Sequence, residues 1–311
     1  MRLIVELPEG LARQIRELEF RGRYDSAEQF IWTAVENQLL LESRGALAAL
    51  TASDELGGRL LSRPASAPPT VAAEEGNAHP LWGMVNRFLP VVIGARALAN
   101  MLAEEGAEWV LLEDFERKAG GIAREFGLFL QDLDAKVGRK GEQRLSVGLP
   151  IGSRPDRSLA RYQDHFLAAT PESALRKMGL AATTANLVGE QVVGITKAGV
   201  EFAALPCPSV DEGDYTSSLS EQETAFLRQQ VRDSVPGEWA LWTQILELLG
   251  ESGLSQDALR TALGSKRGWE AGTLTTMLTV VLARMKELGL VRSRGRGPSA
   301  LYEAAILPPT E

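Results

Sequence analysis

The sequence predicts a mainly α-helical, modular protein with short β elements. Apolar residues recur at helical spacing in several segments, whereas stretches that alternate between apolar and polar residues are short. Segments rich in proline and small residues, 46–80 and 207–217, interrupt this pattern and predict linkers, the first of them flexible. We therefore expect ordered modules at residues 1–45, 81–206 and 218–305, which suits a length of 311 residues.

The distribution of charge indicates how this protein could bind nucleic acid. A formal net charge of −8 argues against a protein that coats nucleic acid through bulk positive charge. Residues 265–303, however, contain seven basic and three acidic side chains, so this segment carries +4 and leaves −12 for the rest of the chain. Such segregation is compatible with a local basic face.

Few residues are suited to metal or covalent chemistry. Cys207 has no second cysteine for an internal disulfide, and His79 and His165 are too few to build a zinc-type ligand set. The sequence contains no phosphate-loop, GxSxG or HExxH motif. We therefore expect no metal, no cofactor and no enzymatic activity.

The remaining titratable candidates have simpler interpretations. The acid pairs Asp132 with Asp134 and Glu113 with Glu116 are more typical of solvated helix faces than of general acid–base groups. Cys207 lies in a predicted linker with no base nearby to activate it. The sequence has no apolar run of the roughly 18 residues that a membrane span needs and no signal-peptide pattern, so we expect a cytoplasmic protein without membrane contact.

Residues 1–42 change period twice. Alternation over the first seven residues predicts a short strand that ends at Pro8, and helical spacing then runs to Gly22. Ser26 begins a capping box for a second helix. Because a lone strand and two short helices cannot enclose a core, we expect a partner chain to complete it. The predicted dimer interface consists of Leu3, Val5, Leu7, Leu11, Ile15, Leu18, Phe30, Ile31, Ala34 and Val35.

The motifs RLIVELP, GRYDSAEQFI and AVENQL in this segment resemble the ribbon-helix-helix family, the Arc and MetJ class of DNA-binding repressors. The resemblance implies an intertwined homodimer whose antiparallel strands enter the DNA major groove, with the second helix begun by Ser26 on a phosphate. The side chains that would face the groove are Arg2, Ile4 and Glu6, because the other strand residues face the core. Glu6 departs from the bases, amides and hydroxyls that are usual for the family.

Residues 81–206 are predicted to form several helices, with a break at Pro90, and then a strand, turn and strand in LAATTANLVGEQVVGI. The segment ITKAGVEFA resembles the closing segment of many winged-helix domains. Two interpretations stay open for this module: a winged-helix-like domain, or a helical domain with a terminal hairpin.

Residues 218–305 are predicted to form helices at 218–235 and 237–253, a short capped helix at 255–264, a long helix at 271–289 and a basic hairpin. This order of elements resembles a winged helix-turn-helix domain. Short, uncharged threonines allow a helix to enter the major groove, and arginines that alternate along RSRGRG face phosphates together. The predicted DNA-binding residues of this module are Lys266, Arg267, Thr273, Thr275, Thr276, Thr279, Arg292, Arg294 and Arg296.

These features predict a dimeric, sequence-specific DNA-binding transcriptional regulator that binds double-stranded DNA. A competing interpretation is that the threonines cap the long helix and the arginines form a solvated loop. The alternative function is then a non-catalytic protein-interaction module, an antitoxin-like partner or adaptor, built from the same folds. The two functions differ in salt dependence, which is steep for contacts with phosphate and weak for apolar contacts.

Overall fold

Helices dominate the structure and pack around two small antiparallel sheets, which confirms the mainly α fold with short β elements. The computed structural model describes residues 57–74, 79–81, 85–250, 252–267, 271–295 and 300–305. The predicted ribbon-helix-helix module lies outside the described residues. The same holds for every residue of its predicted dimer interface and for its candidate DNA-binding residues Arg2, Ile4, Glu6 and Ser26.

Two units follow one another along the described chain. The middle unit consists of α1 (Gly57–Leu61), α2 (Leu89–Glu105), β1 (Val110–Leu111), α3 (Leu112–Val137), α4 (Pro155–Phe166), α5 (Ala174–Lys177), β2 (Ala181–Ala185), β3 (Gln191–Ile195) and α6 (Lys197–Ala203). The C-terminal unit consists of α7 (Glu221–Ser234), α8 (Pro236–Leu249), β4 (Leu254–Ser255), α9 (Gln256–Arg267), α10 (Ala271–Glu287), β5 (Val291–Arg294) and β6 (Leu301–Ala304).

The two sheets share one strand order. The middle sheet is ordered β1-β3-β2 and the C-terminal sheet β4-β6-β5, and all neighbouring strands are antiparallel. In both units two helices precede the first strand, and further helices separate that strand from a two-stranded hairpin; in the middle unit α6 follows the hairpin. Helices, a strand, further helices and a hairpin therefore follow one another in both units of the described chain.

Helix α2 forms the centre of the middle unit and is buried from Leu89 to Leu102. Gly94 allows the close packing, because a Cβ atom there would lie 2.9 Å from a methyl group of Leu167. Pro90 lies in the first turn of α2, where a backbone N–H has no helical acceptor. The predicted break at Pro90 is therefore the beginning of a helix.

Parts of both predicted linkers are packed into the structure. In the segment 46–80, Leu60 and Leu61 are buried, and the Val71 N–H donates to the Ile195 carbonyl at 2.9 Å. In the segment 207–217, Cys207 and Tyr215 are buried on either side of a π-helical turn at Pro208–Glu212. Proline and small residues predicted a linker in this segment. Backbone N–H groups of the π-helical turn, however, find acceptors within the turn, so its apolar side chains can pack into the core.

Arg96 ties this second segment to the core. It lies on α2, is fully buried, and donates to both carboxylate oxygens of Asp211 at 2.7 and 2.8 Å. It also donates to the carbonyls of Leu61 and Leu205 at 2.9 and 2.7 Å. One guanidinium group thereby joins α2 to three separate stretches of chain.

A second buried arginine joins the two units. Arg284 on α10 and Glu238 on α8 are both fully buried and form an ion pair at 2.7 Å. Arg284 also donates to the carbonyls of Leu81 and Val85, and Glu238 accepts from the Leu81 N–H at 3.1 Å and from the Trp242 indole at 2.7 Å. The chain that leads into α2 is therefore held by the C-terminal unit.

Helices α3 and α4 bring acidic groups together. Glu116 on α3 is half-buried, and its Oε1 atom has no hydrogen-bond partner within the described chain. Burial, reinforced by the nearby carboxylates of Asp164 and Glu113, raises the pKa of Glu116 from 4.5 to about 7. Asp134, by contrast, is buried and accepts from the backbone of Leu145 and Ser146. The sequence predicted that Asp134 lies on a solvated helix face. This prediction is wrong, because the Asp134 carboxylate is buried and accepts hydrogen bonds from the loop that follows α3.

We predict that Arg284→Met lowers the free energy of unfolding by about 3–5 kcal/mol, because it leaves the Glu238 carboxylate buried without a counterion. Urea denaturation measures the change. Arg260→Met is the control, since Arg260 is partly exposed and pairs with Asp257 on the surface, and its loss should cost less than about 1 kcal/mol. Equal losses for the two variants would contradict the prediction.

We predict a pH-dependent effect for Glu116→Gln. The folded state holds a proton on Glu116 between about 4.5 and about 7 that the unfolded chain has released, so this group lowers stability as pH rises through that window. The free energy of unfolding of the variant should match that of the parent protein near pH 4.5 and exceed it above about pH 7. Denaturation at several pH values tests this.

Glu125→Gln on the exposed side of α3 is the matched control and should leave the pH dependence of stability unchanged. A Glu116→Gln profile that runs parallel to that of the parent protein would show that Glu116 does not titrate in this window.

Candidate nucleic-acid interface

Helix α10 divides into a buried face and an exposed face. The buried face packs on the rest of the C-terminal unit and is formed by Leu274, Met277, Leu278, Val281, Leu282 and Met285. The exposed face carries Thr275, Thr276 and Thr279, which lie at adjacent positions around the helix. Thr275, Thr276 and Thr279, which are predicted to contact DNA, thus occupy the surface opposite the core.

Hydrogen bonds orient two of these threonines. The Thr276 hydroxyl donates to the Gly272 carbonyl at 3.2 Å, and the Thr279 hydroxyl donates to the Thr275 carbonyl at 2.9 Å. A hydroxyl that donates its proton to its own helix keeps lone pairs to accept with, and its methyl group is fixed beside them. Such side chains can accept from base amines or contact a thymine methyl group.

Gln256 is a residue of this surface that the sequence analysis missed. It begins α9, and its amide donates to the Thr279 hydroxyl at 2.8 Å. An amide of this kind can pair with adenine in the major groove. Its position at a strand–helix junction, 23 residues from Thr279, gave no local pattern that would have singled it out.

The β5–β6 hairpin presents the other charged group. Arg292 and Arg294 are exposed and lie two residues apart on one strand, so they share a face. Glu303 is the cross-strand neighbour of Arg292, and its carboxylate lies 3.2 Å from the Arg294 guanidinium. Two arginines thus flank one carboxylate, which neutralises part of the predicted positive charge. Arg296 lies outside the described residues.

The remaining predicted residues lie where the two helices meet. Lys266 and Arg267 end α9, Thr273 lies in the first turn of α10, and residues 268–270 between the helices are outside the described ranges. Arg284, which contributed to the local charge count, is a buried structural cation. Glu287 is also buried, so the count of +4 for 265–303 holds after both are removed, with six basic and two acidic residues left.

Cys207 is unsuited to nucleophilic chemistry in this structure. Burial and the Glu223 carboxylate raise the pKa of its thiol to about 12. Within the described ranges, no cluster of histidine, cysteine and acidic residues is arranged to hold a metal ion. No helix in the same ranges has the length and apolar character that crossing a membrane requires.

Comparison with known proteins gives no relative for this chain: no family model, curated protein or solved structure matches it.

Proposed function

We propose that this protein is a dimeric, sequence-specific DNA-binding transcriptional regulator without catalytic activity, and that its C-terminal unit binds double-stranded DNA as a winged helix. The observation that carries the proposal is the exposed threonine face of α10, set within a helix, strand, helix, helix, strand, strand order with strands arranged β4-β6-β5. This order resembles that of winged-helix domains, and on that resemblance we assign to α10 the role of recognition helix.

Steric and chemical properties of α10 support this role. Thr275, Thr276 and Thr279 are short and uncharged, so the helix can approach base edges closely without placing a charge in the groove. The side chain of Gln256 extends the same polar surface from α9. These groups discriminate between bases by hydrogen bonding and methyl contact.

The β5–β6 hairpin supplies contacts to phosphate in this proposal. Arg292 and Arg294 face the same way and are exposed, as phosphate-binding arginines need to be. On binding, Arg294 exchanges the Glu303 carboxylate for a phosphate. Glu303 therefore competes with DNA and limits affinity.

Dimerisation is assigned to residues 1–45 on the strength of their ribbon-helix-helix motifs. Two copies of the C-terminal unit would then read two half-sites, and the symmetry of the operator would follow that of the dimer.

One observation favours the alternative function of a protein-interaction module. Leu187 and Val188, at the turn between β2 and β3, are both largely exposed large apolar side chains. An apolar tip of this kind is suited to a protein contact. Under this alternative, the affinity of the protein for DNA would be weak and unchanged by substitutions in α10 or the β5–β6 hairpin.

We predict that replacing Arg292 and Arg294 by alanine weakens binding to a mixed-sequence duplex and flattens the plot of log affinity against log salt concentration. The slope should fall by about 0.9 for each arginine in each protomer, because each releases about one counterion. Fluorescence anisotropy at several salt concentrations gives both quantities. The folding stability of the variant should stay close to that of the parent protein.

Two further variants serve as a control and as a test in the opposite direction. Arg117→Ala with Lys136→Ala removes two exposed, ion-paired bases from α3 and should leave the slope unchanged. Glu303→Gln should tighten binding, since it frees Arg294 for phosphate. An arginine variant with the parent slope would show that the hairpin does not contact DNA.

We predict that Thr275→Ala with Thr276→Ala relaxes sequence preference while the salt slope stays unchanged. Discrimination at particular base pairs should drop by about 1–3 kcal/mol, because base-edge contacts carry sequence information and phosphate contacts do not. The measurement compares affinities for a duplex selected by the full chain and for its single-base variants.

Thr243→Ala on α8 is the control for the threonine variant, since its hydroxyl makes the same type of bond to the preceding helical turn, to Trp239. Unaltered sequence preference in the threonine variant would exclude α10 as the reading helix.

A further inference from the structure

The middle unit contains a cavity of about 660 Å³ between α3, α4 and the loop 144–154. Its rim carries the guanidinium groups of Arg144, Arg154, Arg157 and Arg161. Among the described residues, no acidic side chain lines it. The volume lies in the range of small-molecule sites in proteins.

Among the described side chains, no carboxylate pairs with the rim arginines. Arg154 directly precedes α4, and Arg157 and Arg161 lie in its first two turns. All three are exposed, and their guanidinium groups make no hydrogen bond or ion pair within the described ranges. Arg144 donates to a backbone carbonyl, that of Gly141, at 3.3 Å. Arg117, Arg260 and Arg294 elsewhere on the described surface each have a carboxylate partner. Four neighbouring cations that have no carboxylate partner among the described side chains favour a bound anion.

The floor of the cavity is apolar and aromatic. Tyr162 and Phe166 lie one helical turn apart on α4 with stacked rings 5.4 Å between centroids, and Leu149 and Ile151 line the cavity beside them. The Tyr162 hydroxyl is held by the Pro90 carbonyl at 3.0 Å. This floor can pack against an apolar or aromatic group of an organic ligand. An inorganic ion has no such group and would leave the floor without contacts.

Asn86 adds a polar group to the cavity wall. Its Oδ1 atom is buried and has no hydrogen-bond partner within the described chain. A buried acceptor without a partner costs free energy, and a donor on a bound molecule would remove that cost.

The loop that forms one wall is fixed in advance. Asp134 accepts from the Leu145 and Ser146 N–H groups, each at 3.0 Å, and Arg124 donates to the Pro150 carbonyl at 3.0 Å. The Gly152 N–H donates to Ser158 on α4 at 2.9 Å. Because the loop is anchored along its length, a ligand would not have to order it on binding.

We propose that this cavity binds a small phosphate monoester: an organic body on the aromatic floor, with its phosphate dianion on the rim arginines. Arginine binds phosphate oxygens through paired N–H groups. Four guanidinium groups carry enough positive charge to balance the two negative charges of a phosphate dianion. A DNA backbone is a poorer fit, because a duplex resting on the exposed rim would leave the recessed floor and Asn86 without contacts.

The test uses the full chain and phenyl phosphate as the probe, with isothermal titration calorimetry at low salt. Inorganic phosphate and benzoate are the comparison probes. Phenyl phosphate should bind at least about tenfold more tightly than either, since inorganic phosphate lacks the organic body and benzoate the second charge. Arg157→Gln with Arg161→Gln should weaken phenyl phosphate binding by at least about tenfold, because two charge-assisted contacts are lost.

Arg117→Gln with Arg260→Gln removes the same charge outside the cavity and is the matched control, with an expected change in affinity of less than about twofold. Thermal denaturation of both double variants checks that they fold.

Several outcomes would overturn the proposal. One is no detectable binding of phenyl phosphate at millimolar concentration. Another is equal affinity for inorganic phosphate, which would leave the floor unused, and a third is equal affinity for benzoate, which would favour a carboxylate ligand. Loss of DNA affinity in the cavity variant without loss of phenyl phosphate binding would identify the rim as a nucleic-acid surface.

Discussion

The structure depends on a charge pair that water does not reach. Arg284 and Glu238 are both fully buried, and removing such groups from water costs several kcal/mol for each ion. The cost is offset because the remaining donors and acceptors find partners in the backbone of Leu81 and Val85 and in the Trp242 indole. The pair therefore fixes α10 against α8 and against the chain that leads into α2. The exposed face of α10 takes its position from this buried contact.

The short segment 85–88 connects the features that we assign to function. Its Val85 carbonyl accepts from Arg284, and its Phe88 N–H donates to the Glu287 carboxylate at 2.8 Å, so both bonds lead to α10. Between them, Asn86 lines the arginine-rimmed cavity. The helix proposed to read DNA and the cavity proposed to bind a phosphate monoester thus share one stretch of backbone, although neither proposal needs the other.

Apolar periodicity in the sequence correctly predicted which face of a helix is buried. Apolar residues recur at helical spacing along the predicted long helix, and the structure buries them: Leu274, Met277, Leu278, Val281, Leu282 and Met285. The packing of Arg96, Asp134 and Glu238 was not predictable in the same way, since each is a charged residue whose partners lie far away in sequence or in an irregular segment. Asp211 is 115 residues from Arg96, and composition alone marked its segment as a linker. The cavity was missed for a similar reason, because its arginines resemble a solvated helix face until the loop 144–154 closes against them.

Protection of guanine N7 atoms from dimethyl sulfate tests whether α10 reads base edges in the major groove. The duplex is one selected by the full chain, and the parent protein and the Thr275→Ala, Thr276→Ala variant are compared at equal occupancy. We expect protected N7 atoms within the bound site, and loss of protection at a subset of them in the variant, because N7 lies in the major groove. Identical protection with both proteins, or binding without any protected N7, would contradict this expectation.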